Sequence, residues 1–147
     1  MSTLIASAVP SVPVPLAEGD EMPVGAAGPL TRTDFVRYAG ASGDFHPLHH
    51  DEGYAREAGF PGVFGMGLFH GGILGDHLAH WVGPDNLRSF AIRFTGQVWP
   101  GDMLTFTGKV DGIEEAASGR RARLSLAVRR QTGDTAATAV AVAVVAG

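Results

Sequence analysis

The spacing of apolar residues changes once along this chain, from a helical period to a strand period, and this change limits the fold more than any other feature. Over residues 67–82 the apolar positions recur every three or four residues, which predicts one helix of about four turns and about 24 Å. After Gly83 and Pro84, apolar and polar residues alternate through four segments joined by short turns. Such alternation is typical of an antiparallel sheet with one face in water. The pattern predicts an α+β fold in which the long helix packs on the concave face of the sheet.

Glycines inside the predicted long helix support this packing. Gly71, Gly72 and Gly75 each cost about 1 kcal/mol relative to alanine in a helix interior. An exposed helix would gain nothing for that cost. We therefore interpret these glycines as positions where the sheet approaches the helix backbone closely.

Two short helices and an extended arm are predicted before the long helix. Thr31 caps the first helix, which ends at Gly40, and the second runs over residues 51–58 and ends at Gly59. Residues 1–15 carry three prolines and are predicted to form an extended N-terminal arm, while 16–147 form a single domain that begins with a Gly/Pro-rich connection over 16–29. The inward positions of the predicted strands are Phe90, Ile92, Phe94 and Val98, then Leu104, Phe106 and Val110, then Leu124, Leu126 and Val128, followed by a buried Val/Ala strand within 136–146.

Composition excludes several classes of protein. A chain of 147 residues with 45% hydrophobic and 18% charged residues is large and apolar enough for one folded domain. The net charge of −4 gives no reason to expect nucleic acid or an anionic membrane as partner, and the lack of cysteine excludes disulfides and thiolate chemistry. We see no secretory signal, and the apolar C-terminal stretch is shorter than the ~20 residues of a membrane helix. We expect a soluble, cytoplasmic protein.

The loop over residues 42–51 carries the most reactive combination of side chains. Asp44 and His49 are five residues apart, and Pro47 between them restricts its own backbone and that of the residue before it. The resulting turn can bring the carboxylate and the imidazole together around one water molecule. Such a pair is suited to general acid–base chemistry, although an isolated Asp and His at this spacing more often serve only to stabilise a turn.

The surrounding residues resemble the MaoC-like hydratases, which comprise (R)-specific enoyl-CoA hydratases and (3R)-hydroxyacyl-thioester dehydratases of hotdog fold. The family signature is roughly a tyrosine, small residues, and then Gly-Asp-x-Asn-Pro-(Leu/Ile)-His, which matches residues 38–49 here except that His46 replaces the asparagine. A His-Gly-Met segment opens the central helix in the family, and Met66-Gly67-Leu68 occupies that position here. Residues 81–84, 92–94 and 100–102 also match, so the resemblance covers about residues 30 to 147.

This resemblance implies a hotdog fold and the reversible syn hydration of trans-2-enoyl thioesters, on CoA or acyl carrier protein, to (3R)-3-hydroxyacyl thioesters. It implies that Asp44 and His49 are catalytic and that the amide of Gly67, at a helix start, binds the thioester oxygen. Leu68, His70 and Pro47 would line the substrate site. We expect a dimer at minimum, either a homodimer or a heterodimer with a related hotdog chain, because the exposed edge of such a sheet favours pairing.

Other readings remain open. The chain could be an acyl-CoA thioesterase of the same fold, or a subunit of a heteromeric hydratase that is active only with its partner, a reading that His46 and Met66 favour. His46, His49, His50 and Asp51 could bind a metal, but their spacing is poor for ligation, and we expect neither metal nor cofactor. His70 could instead be a buried, hydrogen-bonded histidine or a subunit contact. Some arginines could hold CoA phosphates, the candidates being Arg88, Arg93, Arg120, Arg121, Arg123, Arg129 and Arg130.

Overall fold

A five-stranded antiparallel sheet and one long helix form the body of the protein, as described by a computed structural model that covers residues 8–147. The sheet order is β1-β3-β4-β5-β2, and the helix α3 packs on one face of the sheet. The predicted α+β architecture is therefore confirmed. In chain order the elements are β1 (Gly25–Ala27), α1 (Arg32–Ser42), a 3-10 turn (Pro47–His49), α2 (Glu52–Glu57), α3 (Gly67–Val82), a second 3-10 turn (Pro84–Asn86), β2 (Leu87–Phe94), β3 (Leu104–Ala116), β4 (Gly119–Arg130) and β5 (Thr135–Val144).

The helix α3 has the predicted bounds, and its buried face includes Leu74, Leu78 and Val82, which join the core beneath the sheet. At Gly71 a side chain would begin 3.1 Å from Ile92, so the interpretation of this glycine as a close approach is confirmed. The same interpretation is wrong for Gly72, where a methyl group would meet open space. The sheet therefore contacts only part of the glycine-rich surface of the helix.

The strand β2 forms one edge of the sheet and pairs only with β5 within the described chain. Phe90 and Phe94 point toward α3 as the alternation predicted, yet they remain 38% and 42% exposed because no further strand of residues 8–147 covers the edge. Val98, which we assigned to the same strand, lies beyond its end, although it is fully buried. The apolar residues of β2 thus lie at a solvent-exposed edge of the sheet and are not enclosed in the core.

The first helix begins where predicted and ends later. Thr31 and Asp34 form the reciprocal capping box at its start. The predicted end at Gly40 is wrong: the helix continues to Ser42, and Gly43 ends it with a φ of 74°, a left-handed conformation that glycine adopts without strain. The connection predicted over 16–29 also contains the short strand β1, which pairs with β3.

The second helix is confirmed, with Asp51 as its cap and Ala58 at its end. Within the predicted arm, Pro15 makes an isolated bridge to Ala146, while residues 1–7 lie outside the described residues. Among residues 8–147, no helix combines the length and the apolar character that crossing a bilayer requires.

Candidate functional site

Asp44 sits at the start of the loop that leaves α1, where the local hydrogen bonds fix one of its oxygens. The hydroxyl of Ser42 donates to the carbonyl of Tyr38 and accepts from the backbone N–H of Asp44. Oδ1 of Asp44 accepts from the backbone N–H of His46 at 3.3 Å, a short-range turn typical of aspartate. Oδ2 is left to face the opposite side of the loop, and the side chain is 45% exposed.

His49 lies across the loop, at the end of the 3-10 turn that Pro47 begins. Its Nδ1 lies 2.7 Å from the carbonyl oxygen of Phe64. Because a carbonyl can only accept, Nδ1 must carry the proton, and Nε2 of the neutral ring is left with a lone pair. Nε2 lies 3.8 Å from Oδ2 of Asp44, and the His49 side chain is only 12% exposed. The structure thus brings the two predicted residues face to face.

The 3.8 Å gap between the two side chains is too long for a direct hydrogen bond. It suits one shared water molecule, since two hydrogen bonds of about 2.8 Å can meet over this separation. Each side chain would accept one hydrogen bond from this water, His49 at the lone pair of Nε2 and Asp44 at a carboxylate oxygen. The arrangement can therefore orient a water molecule and remove a proton from it.

His46 has a structural task in the same loop. Its Nδ1 accepts from the backbone N–H of Leu48 at 3.2 Å and caps the 3-10 turn. The centroid of this ring lies 6.1 Å from that of His49. Across residues 8–147, no group of three or more His, Cys, Asp or Glu side chains is arranged to hold a metal ion.

The segment over residues 64–67 connects the loop to the start of α3. The N–H of Phe64 donates to the carbonyl of Leu48, and the N–H of Gly65 donates to that of Val98 at 2.8 Å. Gly67 is the first residue of α3, and Met66 before it makes no side-chain capping bond. The N–H groups of a first helical turn lack partners within the helix and carry a positive partial charge. Gly67 is three residues from Phe64, so the helix start lies within about 10 Å of the carbonyl that orients His49.

The remaining predicted site residues occupy different environments. Leu68 follows Gly67 and is 61% exposed, and Pro47 is half-buried at the start of its turn. His70 is 1% exposed and packs edge-on to Phe94, with 5.5 Å between ring centroids. The alternative of a buried, hydrogen-bonded histidine is correct about burial. It is wrong about hydrogen bonding, because neither ring nitrogen has a hydrogen-bond partner among the described residues. Burial lowers the pKa of His70 to about 4, so this ring is neutral at physiological pH.

The candidate arginines occupy different environments. Arg130 binds the buried carboxylate of Asp102 through two hydrogen bonds and does not serve as a free phosphate ligand. Arg93 and Arg129 line an open concavity of about 850 Å³ on the sheet face opposite α3, together with Lys109. Asp44 and His49 are not part of its lining, so this concavity and the Asp–His pair lie in different places.

Two contributions to the site were missed from the sequence. The carbonyl of Phe64 orients His49, but every residue has a carbonyl, so no side-chain pattern reveals it. The burial of Asp102 depends on contacts with residues 28 and 29 positions later. The Pro-Gly-Asp stretch over residues 100–102 was the available signal, and it was used only to place a turn and to support the family resemblance.

Comparisons with known proteins agree on one group of relatives. The family described as MaoC like domain matches residues 17–129. Fatty acid synthase subunit beta of Aspergillus oryzae is 33% identical over 104 residues, which are 69% of this chain and 5% of that protein. 3-hydroxyacyl-thioester dehydratase Y of Mycobacterium tuberculosis is 39% identical over 79 residues, 51% of this chain and 27% of that protein. The unliganded R-hydratase PhaJ1 of Pseudomonas aeruginosa superimposes with a TM-score of 0.75 at 25% identity, over 91% of this chain and 88% of that chain. The chain therefore spans a small part of both sequence relatives.

Proposed function

Since the chain belongs to the MaoC-like domain family, we propose that it catalyses the reversible addition of water to a trans-2-enoyl thioester, giving a (3R)-3-hydroxyacyl thioester. The fold is the hotdog fold, in agreement with the resemblance noted in the sequence. One observation carries the proposal: Nε2 of His49 faces Oδ2 of Asp44 at 3.8 Å while Nδ1 is held by a carbonyl. The names of the dehydratase and hydratase relatives support the same reaction class.

In the proposed mechanism, one water molecule is held between Asp44 and His49. Nε2 of His49 takes a proton from the water as its oxygen bonds to C3 of the enoyl group, and the electron pair moves to the thioester oxygen. The imidazolium then returns a proton to C2 on the same face, which completes a syn addition with balanced atoms and charge. Asp44 accepts a hydrogen bond from the second O–H of the water, which stays on the new hydroxyl group, and stabilises the imidazolium.

The enolate formed in this step needs a hydrogen-bond donor. We assign this role to the N–H of Gly67, because the start of α3 provides free amides and the positive end of the helix dipole. A single donor of this kind contributes about 3 kcal/mol to related reactions. Leu68, His70 and Pro47 are proposed to contact the acyl part of the substrate.

The partner proposed for this chain is a second hotdog chain that pairs along β2. This strand has eight residues and no partner on its outer side within the described chain. Its residues Phe90 and Phe94 are partly exposed. A free apolar edge of this length favours association. Light scattering of the purified chain, compared with Ala91→Lys on the edge strand, would measure the oligomeric state. It remains a prediction that the acyl group is carried on CoA or on acyl carrier protein. The cytoplasmic location also remains a prediction.

The test compares Asp44→Asn and His49→Gln with the wild-type protein on crotonyl-CoA and longer enoyl-CoAs. We expect kcat to fall on the order of 10²- to 10⁴-fold in each variant, the range lost when a general acid or base is removed. His80→Gln is the control, because His80 forms a surface pair with Asp76 on the far end of α3. Normal hydration by either site variant would refute the assignment. Release of free thiol would indicate a thioesterase, and activity only after addition of a second chain would indicate a heteromeric enzyme.

A further inference from the structure

A buried carboxylate anchors the loop between β2 and β3. Asp102 is 3% exposed, and its Oδ2 accepts from Nε of Arg130 at 2.7 Å and from the backbone N–H of Trp99 at 2.8 Å. Its Oδ1 accepts from Nη2 of Arg130 at 3.1 Å and from Nε2 of Gln131 at 2.9 Å. These four bonds fix residues 99–102 against the turn between β4 and β5. None of them touches the water or the thioester of the proposed reaction.

The anchored loop and the residue before it contact Phe64 and Gly65, at one point each. The ring of Trp99 meets the ring of Phe64 edge-on, with 5.6 Å between centroids, and the carbonyl of Val98 accepts from the N–H of Gly65. The ring of Phe64 also packs edge-on against His49 at 5.3 Å, and its carbonyl holds Nδ1 of the same histidine. Phe64 is therefore held between Trp99 and His49 by both its ring and its backbone.

The same short segment leads into the start of α3. Gly65 is bonded to the loop, and Gly67 follows two residues later as the first residue of the helix. A shift of residues 64–67 would move the carbonyl that orients the proposed base and the amide that binds the proposed oxyanion together. The two functional groups thus share one support, and the loop anchored by Asp102 holds that support in place.

We propose that Asp102 and Trp99 are positioning residues, which act through Phe64 to fix the ring orientation and the tautomer of His49. This inference rests on the function proposed above, since it gives the fixed ring a catalytic use. Asp102 holds the backbone of Trp99, Trp99 holds Phe64, and Phe64 keeps the proton on Nδ1 so that the lone pair of Nε2 faces Asp44.

The main test replaces Trp99 by alanine and by phenylalanine in the full-length protein. Trp99→Ala removes the ring against Phe64, whereas Trp99→Phe retains an aromatic edge. We expect Trp99→Ala to lower kcat by about 10- to 100-fold with KM little changed, because a misplacement of about 1 Å costs a loss of this order. We also expect the acidic limb of its kcat/KM profile to move, and Trp99→Phe to restore most of the activity.

The decisive readout is the His49 tautomer, which needs no substrate. Nuclear magnetic resonance of protein with isotope-labelled histidine, with the His49 signals identified from His49→Gln, should show Nδ1–H alone in the wild type. In Trp99→Ala and Asp102→Asn we expect a mixture with Nε2–H. Trp81→Ala is the matched control: Trp81 is the other tryptophan, is also half-buried, and packs against the core away from Phe64. It should keep the wild-type tautomer even where it costs stability.

Two results would overturn the proposal: Nε2–H as the main tautomer in the wild type, or an unchanged tautomer and unchanged kcat in Trp99→Ala. Because a structural defect alone would also affect Trp81→Ala, equal changes in both tryptophan variants count against it as well. A wild-type protein that hydrates no enoyl thioester, but whose His49 tautomer still responds to Trp99→Ala, would refute the proposed function and support the coupling.

Discussion

Replacing His70 by leucine should remove a large part of the dependence of stability on pH. His70 is buried, its nitrogens have no partners within the described chain, and burial lowers its pKa from 6.5 to about 4. The unfolded chain therefore binds a proton more readily than the folded one. Because the folded pKa is the lower of the two, the stability contribution is complete above pH 6.5 and is lost progressively as the pH falls toward 4.

The size of this effect follows from the two pKa values. Protonation of the unfolded chain at His70 should cost the wild-type protein about 2 kcal/mol of unfolding free energy between pH 8 and pH 5. With a typical urea dependence, that loss lowers the urea midpoint by about 1 M. Leucine has a similar volume and no charge to bury, so His70→Leu should lose much less over the same range. Its stability at pH 8 should equal or exceed that of the wild type, since two unpartnered nitrogens are removed.

Urea unfolding at a fixed protein concentration, at pH 8, 7, 6 and 5, measures the difference between the two slopes. Burial also lowers the pKa of His77, but His77 is present in both proteins, so its contribution to the pH dependence cancels in the comparison. His50→Gln controls for the loss of a histidine, because His50 is exposed. Parallel pH dependences in the wild type and His70→Leu would show that the His70 ring is hydrated or paired in solution, contrary to this reasoning.

Three further substitutions test other parts of the structure. Thr31→Ala removes the capping box of α1 and should cost about 1 kcal/mol in thermal unfolding, while Thr31→Ser should retain it. Although burial opposes it, hydrogen bonds chiefly from Arg130 lower the pKa of Asp102, so the stabilisation that Asp102 contributes should be complete above pH 3.8 and be lost below it. In acid titration, Asp102→Asn should therefore lose less stability below pH 3.8 than the wild type. Gly72→Ala should stabilise the protein by about 1 kcal/mol in urea unfolding, because the added methyl group meets open space. Gly71→Ala should not stabilise it, because the added methyl group would lie 3.1 Å from Ile92. Equal effects of the two substitutions would refute this difference in packing.

The long helix and the sheet were predictable because their signals are local and repeated. The helix α3 has its full set of periodic apolar residues and is bounded by Gly67 and Gly83, and its limits were correct to the residue. The end of α1 was ambiguous, since Gly40 and Gly43 both follow a helical pattern. The strand β1 has only three residues, so its existence depends on pairing with β3 and not on its own sequence.

The candidate site was predictable to the extent that it depends on side chains. The spacing of Asp44, Pro47 and His49 indicated the approach of the two reactive groups, and the structure brings them to 3.8 Å. The catalytic assignment itself stays a prediction. The support of His49 by Phe64 could not be predicted, because it uses a backbone carbonyl and a ring from a segment 15 residues away.

The position of β2 in the sheet has a consequence for synthesis on the ribosome. This strand precedes β3 and β4 along the chain but pairs with β5, whose first residue comes about forty residues after the last residue of β2. At about 5–20 residues per second, the interval between the two strands is about 2–8 s. Throughout that time α3 and the aromatic residues of β2 have been synthesised without the neighbour that completes their layer. Translation must therefore reach β5 before this side of the protein can close, and nascent chains halted within β4 should be bound by chaperones.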